Sequence, residues 1–338
     1  MPADKATLLG SVYSFQRIAS YLTAVEMHIV TQTMITIIAP SPDDKRIYLT
    51  ASIATGEMCR ATDVIVHASG KGVNAARALA CIGIRSRLVS PVGKDFHPRL
   101  QTDLETHGIV LHCIETVAPT RVCVTLLEDN GRATEIVQEA SPLSKAEANE
   151  FFQACLEAVD EADALLLAGS LPPGCDARLY SVCTDRAAQR DIPVLVDAHG
   201  DALLSSLRAR PSAVKINREE VVETASLLGK HLSLEDSIAA MRSSGARDII
   251  VSNSSEAVHV FRPDGTRWSV QPPTIHLQNA VGSGDAMSAG VLYGLYSGES
   301  LYDAVCRGVR MGSANAMTLL PGELDTNALH TFPDPAVR

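Results

Sequence analysis

ALLLAGSLPPGCDARLYSVCTDRAAQRDIPVLVDAHG, residues 164–200, reads as a strand, a glycine-proline turn, a helix and a second strand. Ala164–Ala168 and Pro193–Asp197 are apolar runs of strand length, and Ala177–Gln189 is the helix between them. Strands joined through helices return in parallel and form a sheet covered on both faces. The same alternation extends downstream through a short helix near Leu203, strand Ala213–Ile216, helices Glu219–Leu227 and Leu234–Ser243, and strand Asp248–Ser252. A hairpin follows (Ala257–Phe261 and Arg267–Val270, turned at Pro263-Asp264-Gly265), then two closing helices, Gly284–Tyr296 and Leu301–Leu319. Upstream lie strand Met34–Ala39, a helix after Asn74, strand Arg87–Val92 and helices Phe96–His107 and Lys145–Val159.

Some strands break the alternation. Arg46–Thr50 and Thr62–His67 have only a turn between them, and Ile109–Ile114, Arg121–Leu127 and Ala133–Val137 follow one another without a helix. They predict a small antiparallel flap, drawn from residues 44–67 and 109–138, over one end of the large sheet. The expected architecture is a three-layer α/β/α sandwich with a mostly parallel sheet and this β-sheet lid, over residues 34–326. Residues 1–33 read as an extension or an over-long gene start, and 327–338 as a tail.

Composition narrows the function. The 338 residues carry a net charge of −10 and only 4% aromatics, which disfavours a nucleic-acid binder. A small anionic ligand is compatible with that charge, because backbone amides and a few local cations can hold one. The eight cysteines form no CxxC pair, so reduced thiols in a cytoplasmic protein are expected, without a zinc site or disulfide framework. No apolar run is long enough for a membrane-spanning helix.

Two glycine-rich segments each lead from extended chain into a helix: SGKGVN at Ser69–Asn74 and NAVGSGDAMSAG at Asn279–Gly290. Such a junction favours an anion. Gly282, Ser283 and Gly284 would form an anion nest, and Asp285 in the first turn could take a proton from a substrate hydroxyl. By itself the same motif reads better as an acidic helix cap with flanking glycines. Neither segment is a GxxxxGK[ST] phosphate loop or a convincing dinucleotide fingerprint.

Together the two segments resemble both signatures of the PfkB (ribokinase-like) family of carbohydrate kinases. The first runs from Gly70-Lys71-Gly72-Val73-Asn74 through Gly83 and Gly93, and the second is Asn279–Gly290. The resemblance extends from Met34 to about Gly322. APSPD (Ala39–Asp43), AGSLPPG (Ala168–Gly174), VDAHGDAL (Val196–Leu203) and VKINREE (Val214–Glu220) are similar to the branch that contains 1-phosphofructokinase, tagatose-6-phosphate kinase and the minor 6-phosphofructokinase.

The resemblance implies a kinase that uses ATP and Mg²⁺, with room for a monovalent cation, to phosphorylate a ketohexose phosphate. Asp285 would be the base, and Gly282, Ser283 and Gly284 would hold the moving phosphoryl group. Asp43, Gly70, Lys71, Asn74, Arg121 and Ser170 would bind the sugar phosphate, with Arg60 a weaker candidate for its phosphate. Lys215, Asn217, Ser252, Ser254, Ala257 and Asn315 would face ATP, with Gly282 and Gly284. Asn217 and Glu220 would organise Mg²⁺ through water. Taken singly, Asp43, Asn74, Asn217 and Glu220 read better as turn or capping residues, and Lys71 and Arg60 equally as solvated charges. A homodimer through the lid is a further implication.

The chain also departs from the family. SLGxxG is replaced by Ser252-Asn253-Ser254-Ser255-Glu256-Ala257, so both glycines of a loop that approaches ATP are gone. Lys215-Ile216-Asn217 replaces KPN, and His199 stands where a small polar residue is usual. These changes leave two alternatives open: a sugar-phosphate-binding regulator with weakened catalysis, or a kinase for an unphosphorylated sugar or nucleoside.

Overall fold

The computed structural model describes residues 34–227 and 233–333. The expected extension, residues 1–33, lies outside them. In chain order the strands are β1 (Ile35–Ile38), β2 (Asp43–Thr50), β3 (Asp63–Ser69), β4 (Ser86–Gly93), β5 (Val110–Thr116), β6 (Val122–Glu128), β7 (Ala133–Val137), β8 (Ala164–Ala168), β9 (Val194–Asp197), β10 (Ala213–Asn217), β11 (Asp248–Ser252), β12 (Val258–Phe261) and β13 (Arg267–Val270). The helices are α1 (Lys71–Cys81), α2 (His97–Thr106), α3 (Lys145–Asp160), α4 (Leu179–Gln189), α5 (Gly200–Leu207), α6 (Arg218–Ser226), α7 (Leu234–Ser243), α8 (Ser283–Tyr296), α9 (Leu301–Ala316) and α10 (Thr326–Thr331).

β1, sequence ITII, is buried throughout, as a strand covered by helices on both faces must be. It pairs in parallel with β4 on one side and β8 on the other, within a sheet ordered β13-β12-β11-β10-β9-β8-β1-β4-β5. Its alternating side chains feed two cores. Ile35 and Ile37 pack with Leu79 of α1, Leu104 of α2, Leu292 of α8 and Val309 of α9. Ile38 packs with Phe151 of α3, Leu179 of α4, Leu203 of α5 and Met241 of α7. Each such side chain contributes about 1.5–3 kcal/mol by leaving water. The strand order reverses between β1 and β8, and ligands of open α/β sheets bind beyond the strand ends at such a switch point.

The lid is a second sheet of four strands, ordered β3-β2-β6-β7. Two expectations are corrected here. β5, expected in the lid, pairs in parallel with β4 at the edge of the large sheet. The reason is that β4–α2–β5 is itself a strand-helix-strand crossover, and a strand so delivered returns to its own sheet. The lid is also not wholly antiparallel, because β2 and β6 run parallel, Asp44 opposite Val122.

Two terminal boundaries also differ. α9 stops at Ala316, whose carbonyl accepts from the backbone N–H groups of Gln278 and Asn279, instead of reaching Leu319. Part of the expected tail is helix α10, whose N-cap Asp325 accepts from Ala328 N at 2.9 Å. Leu329 and Phe332 pack on the core from there. Among the described residues no helix is long and apolar enough to cross a membrane. Trp268 packs edge-on against Tyr302, ring centres 5.4 Å apart.

α8 owes its position to small residues. A Cβ added at Gly290 would lie 2.9 Å from Gly308 Cα, and one at Gly308 2.7 Å from the Met287 carbonyl. α8 and α9 therefore touch backbone to backbone, and α8 points its N-terminus at the ends of β9 and β10, where Lys215 and Asp197 meet it.

Candidate active site

Asp197, the last residue of β9, is the hub. Its side chain is 1% exposed and accepts from Lys71 Nζ at 2.7 Å, Lys215 Nζ at 3.1 Å and Ser288 Oγ at 2.6 Å. Burial opposes its charge, but the Lys215 and Lys71 ammoniums outweigh burial and hold the carboxyl well below the usual range. Lys71 is likewise opposed by burial, yet Asp197, Glu220 and Asp285 hold it protonated above the usual lysine range.

Asp285 sits in the first turn of α8, where burial, and then the Asp197 charge, push its carboxyl up to about 7 against the pull of Lys71, Lys215 and Asn74. Asn74 Nδ2 donates to Asp285 Oδ2 at 2.8 Å. The nest before Asp285 depends on Gly282, at φ +87°, where a Cβ would also lie 2.8 Å from Pro321 Cβ. Ser283 Oγ is buried without a partner, and Lys215 Nζ lies just 2.7 Å from where a Cβ of Gly284 would be. An orphaned hydroxyl, first-turn N–H groups and a lysine together fit an anionic group.

Asn217 and Glu220 form a capping box on α6. Asn217 Oδ1 accepts from Glu220 N at 2.8 Å, and Glu220 Oε2 accepts from Asn217 N at 3.1 Å. Glu220 Oε1 lies 3.4 Å from Lys71 Nζ. Among the described residues no three metal-ligating side chains converge. The pair thus suits a hydrated Mg²⁺ held through water and phosphates better than one caged by the protein.

Beside this network lies a cavity of about 140 Å³ lined by Ser41, Gly70, Lys71, Arg121, Ser170 and His199, among others. Arg121 Nη2 donates to the Ser41 carbonyl at 2.9 Å and lies 3.8 Å from Asp43 Oδ2. Arg121 Nε and Asp43 Oδ1 are buried without partners, so both have bonding capacity left for a ligand. Burial raises the Asp43 carboxyl above its usual range, against the opposing pull of Lys45 and Arg121.

The family model for pfkB carbohydrate kinases matches residues 30–322. The chain belongs to this family. It is therefore a sugar kinase, a phosphotransferase with an alcohol acceptor and ATP as co-substrate. The 1-phosphofructokinase of Escherichia coli K12 is 27% identical over 249 residues, 73% of this chain and 80% of that protein. Escherichia coli phosphofructokinase-2 in complex with substrates and products superposes with a TM-score of 0.76 at 23% identity, covering 88% of this chain and 97% of that one. Ribokinase from Thermotoga maritima has the same fold at 17% identity, TM-score 0.69, covering 88% and 98%.

Most residues singled out in the sequence of this kinase come together. Gly70, Lys71, Arg121 and Ser170 line the cavity, Asp43 touches Arg121, and Asn74, Lys215, Gly282, Gly284 and Asp285 join through the charged network. Ser252 ends β11 opposite Asn217 in register. Ser254, at one of the two replaced glycines, adopts φ +50°, a region that favours glycine; Ala257 lies beyond this turn, just before β12. Asn315 lies deeper than the other residues expected to face ATP. It is fully buried, its amide nitrogen donates to the carbonyls of Leu320 and Glu323 in the turn behind the nest, and its Oδ1 is buried without a partner. Arg60 is exposed, its guanidinium 3.3 Å from Met58 Sδ.

Asp197, Ser288 and His199 were missed as site residues. Asp197 stood in the quoted VDAHG segment, where a carboxylate at a strand end was the available signal. Asp285 and Asp43 are not on the cavity wall itself; Lys71, whose charge acts on Asp285, is.

Proposed function

We propose that this kinase transfers the γ-phosphoryl group of ATP to a ketohexose phosphate: fructose 1-phosphate, fructose 6-phosphate or tagatose 6-phosphate. The observation that carries the reading is the pair of cations, Arg121 and Lys71, on the wall of one small cavity in a protein of net charge −10. A guanidinium with an unpartnered buried Nε matches a phosphate already on the sugar.

In the transfer, Asp285 accepts the proton of the acceptor hydroxyl as that oxygen forms its bond to phosphorus, and the bond to ADP breaks with its electron pair left on ADP. Ser283 Oγ and the first-turn amides of α8 stabilise the phosphoryl oxygens in flight. Lys215 and Lys71 add positive charge at the same place, with Asp197 holding both ammoniums in position. Mg²⁺ bound with ATP would neutralise phosphate charge, and Asn217 and Glu220 would hold its waters. The lid keeps bulk water from competing as acceptor.

Asp285 beside two ammoniums and the unpartnered Ser283 hydroxyl favour a working enzyme over a regulator. The outer lid face, rich in valines, is where a second copy of the chain would pair. Coupled ADP release with the three sugar phosphates and with free fructose tests the substrate class. Turnover is expected with at least one phosphate, and Arg121→Ala should raise its KM by about tenfold or more, from loss of a charge-assisted hydrogen bond. A preference for the free sugar, with a KM that Arg121→Ala leaves alone, would instead establish an unphosphorylated acceptor.

A further inference from the structure

Ser69 ends lid strand β3 and is 1% exposed. It stands opposite Asp43 in the β2–β3 register, so both side chains leave the lid root on one face. Ser69 Oγ donates to Asn74 Oδ1 at 3.0 Å, and Asn74 Nδ2 donates to Asp285 Oδ2 at 2.8 Å. Asn74 is 3% exposed, so neither end of its amide can turn to water.

A carboxamide has one accepting and one donating end. The Asp285 carboxylate takes only the donating end, which leaves the Asn74 oxygen facing Ser69. With the hydroxyl present both ends are satisfied. Without it Oδ1 is a buried acceptor lacking a partner, and the amide gains by moving off Asp285.

The strand end is itself pinned. Arg77, 2% exposed, donates to the carbonyls of Ala68 at 2.9 Å and Pro321 at 2.6 Å, and to Asp103 Oδ2 at 2.5 Å. Pro321 is the residue against which Gly282 closes. Ser69 therefore keeps a fixed distance from the nest.

We propose that Ser69 is a positioning residue, which locks the Asn74 carboxamide onto Asp285 and ties that lock to the lid root beside Asp43. The proposal rests on the reading of Asp285 as base. The charged groups facing Asp285 are Asp197 from β9, Lys71 from α1 and Lys215 from β10, with Glu220 of α6 reached through Lys71. Ser69→Ala changes none of them.

The test is the pH profile of kcat for wild type, Ser69→Ala, Ser69→Thr and Asp285→Asn at saturating ATP and the best sugar phosphate. Ser69→Ala should melt close to wild type, lose about fivefold in kcat at pH 7, the worth of one hydrogen bond, and keep its KM for ATP. Its acid limb should move to higher pH, because the lost Asn74 N–H favoured the charged carboxylate. Ser69→Thr, which keeps the hydroxyl, should return the limb. A wild-type kcat and limb in Ser69→Ala, a loss uniform across pH, or a limb still displaced in a folded Ser69→Thr enzyme overturns the proposal. If Asp285→Asn is inactive while Ser69→Ala is unaffected, the positioning role alone fails. If Asp285→Asn turns over like wild type, the base reading fails and takes the proposal with it.

Discussion

Asp285 balances one carboxylate against two ammoniums. Asp197 and burial favour its neutral form, while Lys71, Lys215 and the Asn74 amide favour its charge. Only the charged form can take a proton, so kcat/KM should fall as pH drops through about 7 and level off above it. Lys71→Met removes a cation that favours the charged form, and its acid limb should lie at higher pH than wild type in the same rate profile. Asp285→Asn should keep the fold and lose about 10²–10⁴ in kcat, read by ADP release beside a thermal melt. Turnover near wild type in that variant would remove Asp285 from the chemistry.

At the scale of elements, the nest and the α8–α9 contact depend on the absence of side chains. Gly282→Ala would place a methyl 2.8 Å from Pro321 Cβ at φ +87°. It should destabilise the protein by about 1–3 kcal/mol in urea unfolding and lower kcat, whereas an unchanged midpoint would mean that the turn yields freely. Most elements were legible in the sequence because they rest on local signals. ITII at Ile35–Ile38 is a buried strand wherever it sits, and Asn217 three residues before Glu220 is a helix start. Partnership between distant segments was not legible. β5 is a different case: the strand and helix before it already mark a crossover back to its own sheet, but it was grouped with the helix-free strands that follow. The hub at Asp197 was hidden because its donors come from residues 71, 215 and 288. The bonds from the Asn315 amide to the Leu320 and Glu323 carbonyls were likewise hidden, since they depend on where α9 ends.

At the scale of the whole molecule, the lid has two unlike faces. Toward the site it presents Asp43, Lys45, Thr125 and Glu135, with Lys45 Nζ 2.7 Å from Glu135 Oε1. Away from it, Tyr48, Val64, Val66, Val124, Leu126 and Ile136 form a largely apolar surface around Arg46, which lies between Val66 and Val124, with Ile136 59% exposed. On the proposed pairing, a second lid would cover this surface. Val66→Asp with Ile136→Asp should convert a dimer to a monomer in sedimentation experiments, and a wild-type chain that sediments as a monomer would refute the pairing. The lid has another property, which comes from its parallel β2–β6 seam. β2 and β3 leave the ribosome well before β6 and β7, and the β4–α2–β5 edge of the large sheet lies between the two pairs. The cover is thus two separate loops of chain sewn together late, and no single cut can excise it. Because the chain between the two lid pairs builds the edge of the large sheet, roof and cleft should melt as one.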